Sequence, residues 1–370
     1  MSVYEPPMKW TPFLLLVMTF GCVGPFSFLS TRTKHHTPVV YYNATVITQN
    51  EAQPTARGLR TYGDVITDIY IGDVPNDATG TRIDLQGATL LPGLVGAPVH
   101  LRGIGHRARQ LNLTHAQSIH EIQQELSQIT HTLDTGRWIR GYGWDPKHWS
   151  SPTFPTARNL DPVSPRHPVW LKRTDGQAVW LNSVAMEQLG IDASTQSPIE
   201  GEIIRDHQGN PTGVFIGDAI DLLTRGLPES PPEEIRADIL RGQELCNQMG
   251  LTGIYDRGTS PEERKILREL EAAGLLTLRI SSCPHITEQG PKSGVESSRP
   301  EVPLLEAIPP LPPEATCADL SEPRRQISRG MRADLTIVAT NPQQSSSKAQ
   351  QGMKTLRTVV GGVEVYRAPN

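Results

Sequence analysis

The feature that most constrains the fold is a regular alternation of helical and strand patterns between residues 232 and 280. Residues 232–249 carry apolar side chains at helical spacing, with acidic residues in the first turn and Gly250 directly after them. A short apolar run follows at 251–256, then a second helical pattern at 261–273 and a β-rich run at 276–280. Helix, strand, helix and strand in this order predict a parallel α/β unit.

The two ends of the chain carry β patterns instead. Short β-rich runs separated by turns fill residues 38–92, and residues 330–366 hold further strand patterns, two of them around a Gly-Gly turn. We therefore predict a composite β-sandwich from residues 38–92 and 329–370. Residues 93–283 form the α/β region, and the proline-rich residues 284–328 are predicted to be a linker.

Several blocks in this order are typical of one superfamily. They read LLPGLVGAPVHL at 90–101, WIRGYGWD at 138–145, PVWLKRTDGQAVWLNS at 168–183, GEIIRD at 201–206 and GNPTGV at 209–214. Together they resemble the amidohydrolases, in the subgroup that includes the N-substituted formamide deformylases and the exoenzyme regulatory proteins. The resemblance covers residues 38–285 and 329–367.

The resemblance implies both a fold and a chemistry. The fold is α/β: a partial (β/α) TIM-type barrel of metal-dependent hydrolases, with the composite sandwich beside it. Such proteins hydrolyse non-peptide C–N bonds of small amide-like substrates and use a divalent metal, commonly zinc, to polarise the carbonyl group. In the family, the strand at 90–101 ends in the pattern Asp-x-His-x-His. The resemblance therefore assigns His100 as the retained metal ligand.

The chain departs from the family pattern at positions that carry chemistry. Gly96 stands at the aspartate and Pro98 at the first histidine, and a proline offers neither an imidazole nor a backbone donor. Gln177 replaces the histidine of a usual Asp-Gly-His block and is a poor zinc ligand. We predict that Arg173, Asp175 and Gln177 line the substrate mouth, and we assign no catalytic residue.

Length adds to these departures. A complete (β/α)₈ barrel takes about 250 residues, and too few remain after Ile254 to supply its later strands. We expect a catalytically impaired hydrolase. The alternatives are a non-catalytic secreted or membrane-anchored binding protein, that is, a pseudoenzyme, and an incomplete gene model.

The N-terminal segment bears on localisation. Residues 10–29 contain no charge and approach the ~20 residues that span a bilayer, so residues 1–37 are predicted to be either a signal peptide or a membrane anchor. Glycosylation sequons at Asn43 and Asn112 favour a glycoprotein of the secretory pathway. A net charge of −4 at pH 7 argues against a nucleic-acid partner. A partial barrel exposes a strand edge through which the chain could form a homo-oligomer.

Overall fold

The computed structural model of this chain describes residues 37–149, 154–283, 326–342 and 354–369. The strands in these ranges are β1 (Val39–Tyr42), β2 (Thr45–Ile47), β3 (Thr55–Ala56), β4 (Gly58–Tyr62), β5 (Val65–Tyr70), β6 (Thr81–Asp84), β7 (Thr89–Pro92), β8 (Leu94–Val99), β9 (Leu111–Asn112), β10 (Ile139–Trp144), β11 (Val169–Arg173), β12 (Ala178–Leu181), β13 (Gly201–Arg205), β14 (Pro211–Gly217), β15 (Leu251–Arg257), β16 (Arg279–Cys283), β17 (Leu335–Val338), β18 (Thr355–Val360) and β19 (Val363–Arg367). The α-helices are α1 (Leu101–Arg109), α2 (Ile119–Thr130), α3 (Ala157–Leu160), α4 (Ser183–Gln188), α5 (Ala219–Gly226), α6 (Pro232–Gln248) and α7 (Pro261–Ala272).

Strands from both ends of the chain pair with one another. One sheet has the order β5-β4-β1-β6, and a second has the order β19-β18-β17-β7-β2-β3. The C-terminal strand β17 runs antiparallel to β7, with Leu335 opposite Pro92. Apolar side chains of both sheets, among them Leu59, Leu90 and Leu335, share one buried core. Burying these alternating side chains provides the free energy that holds the two termini together.

A second unit, the insert region, comprises β9 to β14 with α2 to α5. Its strands form a mixed sheet in the order β13-β14-β12-β11-β10-β9. One face carries the core that contains three packed indoles, those of Trp144, Trp149 and Trp180. The other face packs on α4 and α5 around the buried Phe215. Both faces are covered, which explains the continuous apolar run of β12.

The third unit, the parallel-strand region, contains β8, β15 and β16 with α1, α6 and α7. The strands are parallel in the order β16-β15-β8, and Ile254 of β15 lies opposite both Gly96 and Ile280. Apolar side chains of the three helices pack on this sheet around Ile239, Ile254 and Ile266. The sequence pattern at 232–280 is confirmed as helix, strand, helix, strand, although β16 begins at Arg279 rather than at residue 276.

Two glycines set the distance between α1 and α6. A Cβ at position 105 would lie 1.7 Å from the carbonyl oxygen of Asp238, and one at position 242 would lie 2.4 Å from the carbonyl oxygen of Leu101. The helix backbones therefore touch, which only glycine allows at these positions. This close approach brings polar side chains of α1 against α6.

An ion pair connects the parallel strands to the sandwich. Arg279 at the start of β16 donates from Nε and Nη2 to the two carboxylate oxygens of Asp334, at 2.6 and 2.9 Å. The same carboxylate accepts the backbone N–H of Gly361. Paired guanidinium–carboxylate bonds fix orientation as well as distance, so Asp334 orients β16 against the sandwich strands.

The prediction of an α/β architecture is confirmed, whereas the predicted partial barrel is not: among the described residues, β8, β15 and β16 form a three-stranded parallel sheet. The domain boundaries predicted at residues 37, 92, 283 and 328 stay predictions. The predicted signal peptide or anchor lies outside the described residues, and none of the helices within the described ranges has the length and hydropathy of a membrane span. Asn43 and Asn112 are both exposed, and their glycosylation stays a prediction.

Candidate active site

The carboxyl ends of the parallel strands bring together residues that are far apart in sequence. His100 follows β8 directly and is the N-cap residue of α1, while Asp256 lies near the end of β15 opposite Val99. Asp256 is buried, and its carboxylate accepts the backbone N–H of Leu101 at 3.2 Å. The end of the sheet where ligands bind in parallel α/β folds therefore holds an imidazole and a buried carboxyl group.

Glu263 reaches the same place from α7. It is the third residue of a capping box, in which the Ser260 hydroxyl accepts the Glu263 backbone N–H and the Glu263 carboxylate accepts the Ser260 N–H at 2.8 Å. The carboxylate also accepts a hydrogen bond from Arg102 Nη1 at 3.0 Å and lies 3.5 Å from His100 Nε2. The side chain of Glu263 is 4% exposed and that of His100 is 44% exposed.

Hydrogen bonding dominates the electrostatics of Glu263. Burial by itself would raise the pKa of this carboxyl group, but the hydrogen bonds from His100, the Ser260 N–H and Arg102 outweigh it and lower the pKa to about 2. In return, the hydrogen bond to Glu263 raises the pKa of His100 against the opposing effect of burial. Glu263 is therefore ionised at neutral pH, and the adjacent guanidinium of Arg102 balances its negative charge.

Asp256 behaves differently because the effect of burial on its carboxyl group exceeds that of its polar contacts. Burial raises the pKa of this carboxyl group, and the Leu101 N–H and the nearby His100 reverse only part of that effect. The end of the sheet therefore holds one carboxyl group with a depressed pKa and one with an elevated pKa.

A third carboxyl group, on helix α6, contacts the same arginine as Glu263. Asp238 of α6 is 3% exposed and lies 2.7 Å from Arg109 Nη1, 3.2 Å from His106 Nδ1 and 3.7 Å from Arg102 Nε. Burial would raise its pKa, but the hydrogen bonds and charges of His106 and Arg109 lower it. Arg102 thus bridges Asp238 and Glu263. We refer to His100, Arg102, His106, Arg109, Asp238 and Glu263 as the charged cluster.

The charged cluster does not fit the divalent metal that the family resemblance implies. Arg102 donates to the Glu263 carboxylate, and the adjacent Asp256, which lies outside the charged cluster, accepts the backbone N–H of Leu101. A Cβ at position 96 would lie 3.2 Å from Leu251 Cδ1 and 3.4 Å from Ile254 Cγ2, so this position adjoins apolar side chains. Among the described residues, no group of three or more His, Cys, Asp or Glu side chains converges as a metal site would require.

The predicted substrate residues come together on a separate turn. Arg173 donates from Nε and Nη2 to both carboxylate oxygens of Asp175, at 2.9 and 2.8 Å, and Asp175 also accepts the Gln177 backbone N–H. Burial would raise the pKa of Asp175, but these hydrogen bonds lower it. The three residues lie in the turn between β11 and β12, where Gly176 takes a φ of 72°. Their contacts in the described structure include no member of the charged cluster.

Sequence reasoning placed His100 at the end of a strand and missed the carboxylates that engage it. Glu263 belongs to a Ser-x-x-Glu pattern that is typical of a helix start, and such a pattern does not reveal that the same carboxylate faces a second element. Asp238 carried a usable signal, because it is the acidic residue among the buried residues of α6. An acidic residue on a buried face requires a cationic partner.

Comparison with known proteins shows which proteins this chain resembles. The sequence profile described as the amidohydrolase family matches residues 81–302. The chain is 30% identical over 225 residues to the protein LONG AFTER FAR-RED 3 of Arabidopsis thaliana, covering 58% of this chain and 37% of that protein. It is 33% identical over 179 residues to the putative amidohydrolase YtcJ of Bacillus subtilis, covering 48% and 34%. It is 28% identical over 207 residues to the N-substituted formamide deformylase of Arthrobacter pascens, covering 54% and 38%.

The fold agrees with these sequence matches. A crystal structure of an uncharacterised metal-dependent hydrolase from Pyrococcus furiosus superposes with a TM-score of 0.52 at 21% identity, covering 66% of this chain and 49% of that one. The chain spans roughly a third of the length of the three relatives named above. The profile match spans β8, α1, the insert region and β15, and it therefore includes His100 and Asp256. The chain belongs to the amidohydrolase family.

Proposed function

We propose that this chain is a hydrolase-type protein for small amide-like molecules whose activity on non-peptide C–N bonds is impaired. The class of bond is inferred from membership of the family and from the likeness to an N-substituted formamide deformylase. The observation that carries the proposed impairment is the engagement of Glu263 by both His100 and Arg102. An arginine that already neutralises the carboxylate leaves little net negative charge to attract a metal cation.

The proposal is consistent with the residues at the strand end. A family reaction that depends on metal-bound water needs several convergent neutral or anionic ligands, and Gly96 and Pro98 supply none. We therefore assign no catalytic step to His100. Membership of the family implies a divalent metal, commonly zinc, but the described side chains at the end of β8 do not fit one, and we propose that this chain does not hold a metal there.

A hydrolysis assay tests this proposal directly. The purified full chain is incubated with an N-substituted formamide and with simple amides, with added zinc and separately with a chelator, alongside His100→Ala. We expect turnover close to the uncatalysed background, unchanged by zinc, by the chelator or by the substitution. Robust turnover that the chelator and His100→Ala both abolish would contradict the impairment and identify an active metal-dependent enzyme.

We further propose that the chain enters the secretory pathway through residues 1–37. The uncharged segment 10–29 and the exposed sequons at Asn43 and Asn112 support this proposal. Expression in a eukaryotic cell, followed by glycosidase treatment, tests it. A mobility shift that Asn43→Gln and Asn112→Gln together remove is expected, and an unmodified chain in the soluble cell fraction would contradict it.

A further inference from the structure

A cavity of about 270 Å³ lies beside the charged cluster, between the parallel-strand region and the insert region. Its walls come from the end of α1, from residues 136–140 before and within β10, and from residues 228–238 at the start of α6. Pockets at the boundary of two structural units are preferred places for small ligands, and those for drug-sized molecules measure about 300–1,000 Å³. This cavity therefore suits a smaller metabolite.

The charges that line the cavity are balanced and separated. Three arginines and three acidic residues contribute to the wall, namely Arg109, Arg137, Arg140, Glu229, Glu234 and Asp238. Asp238 is buried and forms an ion pair with Arg109. Glu234 Oε1 lies 2.7 Å from Arg137 Nη2. Glu229 is exposed and forms no ion pair within the described part of the chain. The cavity thus offers both cationic and anionic groups to one occupant.

Two of the arginines retain donors for a ligand. Arg109 uses only Nη1 for Asp238 and for the Glu234 carbonyl oxygen, and Arg137 uses only Nη2 for Glu234, among the described residues. Each guanidinium carries five N–H donors in a planar arrangement that matches a carboxylate. Both side chains are 40% exposed. The unused donors are therefore accessible to a carboxylate in the cavity.

The remaining wall combines the polar side chains of His106, Gln110 and Ser230 with an apolar part. The half-buried Trp138 and the rings of Pro228 and Pro231 line the same space. An apolar side chain of a ligand would bury surface against them, which is favourable by roughly 25 cal/mol per Å².

We propose that this cavity binds a small zwitterion of the α-amino acid class with an apolar side chain. Arg109 and Arg137 hold its carboxylate, Glu229 accepts its ammonium group, and Trp138 contacts its side chain. The cavity shares His106, Arg109 and Asp238 with the charged cluster, but its wall does not include His100, Arg102 or Glu263 at the strand end. The proposal therefore does not depend on whether the chain hydrolyses amides.

Isothermal titration calorimetry of the purified full chain with L-leucine tests the site. Two close analogues separate the charges: N-acetyl-L-leucine lacks the ammonium group and L-leucinamide lacks the carboxylate. We expect L-leucine to bind and each analogue to bind at least about tenfold more weakly, since each leaves a charged group of the site without its partner. Absence of leucine binding, or equal affinity for leucine and leucinamide, would overturn the proposal.

Variants locate the site without relying on the analogues. Arg137→Gln should weaken leucine binding about tenfold or more, because a charged hydrogen bond is lost. Arg241→Gln is the matched control, since Arg241 is 41% exposed, pairs with Glu244 at 2.9 Å and lies outside the cavity wall. Glu229→Gln removes an exposed group and should weaken leucine without weakening N-acetyl-L-leucine. Equal losses from Arg137→Gln and Arg241→Gln would contradict the assignment.

Discussion

In the insert region, three indoles pack with ring centroids 5.8 to 6.5 Å apart, and the indole N–H groups of Trp144 and Trp180 donate to backbone carbonyl oxygens. In the parallel-strand region, two helices meet at glycines and six charged side chains cluster where β8 ends. Apolar packing is insensitive to pH, whereas a cluster of ion pairs is not. The two regions therefore differ in what stabilises them, and the region with the charged cluster is the one that departs from the family at Gly96 and Pro98.

The largest effect is expected where the α1 and α6 backbones touch. Gly105→Ala should destabilise the protein by about 3 kcal/mol or more, because its Cβ would overlap the Asp238 carbonyl oxygen and force the helices apart. Gly103→Ala on the same helix is the comparison, since the three atoms nearest to its Cβ, from 2.9 Å, all belong to the His100 side chain and none to a helix backbone. Urea unfolding of both variants gives the comparison. Equal stability of the two would show that the helices are not in backbone contact.

A core truncation in the insert region should cost nearly as much, without pH dependence. Leu171→Ala removes a fully buried side chain and should lower the free energy of unfolding by about 3 kcal/mol. The loss should be the same at pH 7 and at pH 3, because no titratable group is involved. Ile199→Ala, at a fully exposed position, should change stability by less than about 0.5 kcal/mol. A pH-dependent loss for Leu171→Ala would remove the distinction between the regions.

The charged cluster should show the opposite behaviour. The folded-state pKa of Glu263 lies below the ordinary value of 4.5, at about 2, so its contribution is complete above pH 4.5 and is lost as the pH falls toward 2. Glu263→Gln should therefore cost about 2 kcal/mol at pH 7, a value discounted for the partial exposure of Arg102 and His100, and little at pH 2.

Acid titration of stability measures this difference. Glu262→Gln, one residue earlier on the exposed face of α7, is the matched control and should leave the pH profile unchanged. A Glu263→Gln profile parallel to that of the unmodified protein between pH 4.5 and pH 2 would show that the carboxylate is not ion-paired.

The smallest effect is expected on the turn between β11 and β12. Asp175→Asn breaks an ion pair whose carboxylate is about half exposed, so stability should change by no more than about 0.5 kcal/mol. Thermal unfolding measures it. A much larger loss would mean that this turn supports the insert core, and would weaken the prediction that Arg173, Asp175 and Gln177 serve a substrate.

Much of the architecture could be predicted from local patterns. The spacing of apolar residues located α6 and α7, and Gly361-Gly362 located a hairpin turn. The site was harder, because its contacts join α1, α6 and α7 across 129 to 163 residues of sequence. The spacing of residues along the chain does not show which helix faces pack together. The close approach of α1 to α6 depends on Gly105 and Gly242, and glycine is also common in loops, so the sequence alone does not mark this contact. The roles predicted for Arg173, Asp175 and Gln177 stay predictions.

The central claim is that ion pairs, and not a bound cation, hold the end of β8. Elemental analysis of the purified full chain after equilibration with zinc and removal of free metal tests it most directly, together with the unfolding temperature before and after zinc. We predict far less than one metal ion per chain and an unchanged unfolding temperature. Close to one zinc per chain, lost in His100→Ala and accompanied by a higher unfolding temperature, would contradict the claim.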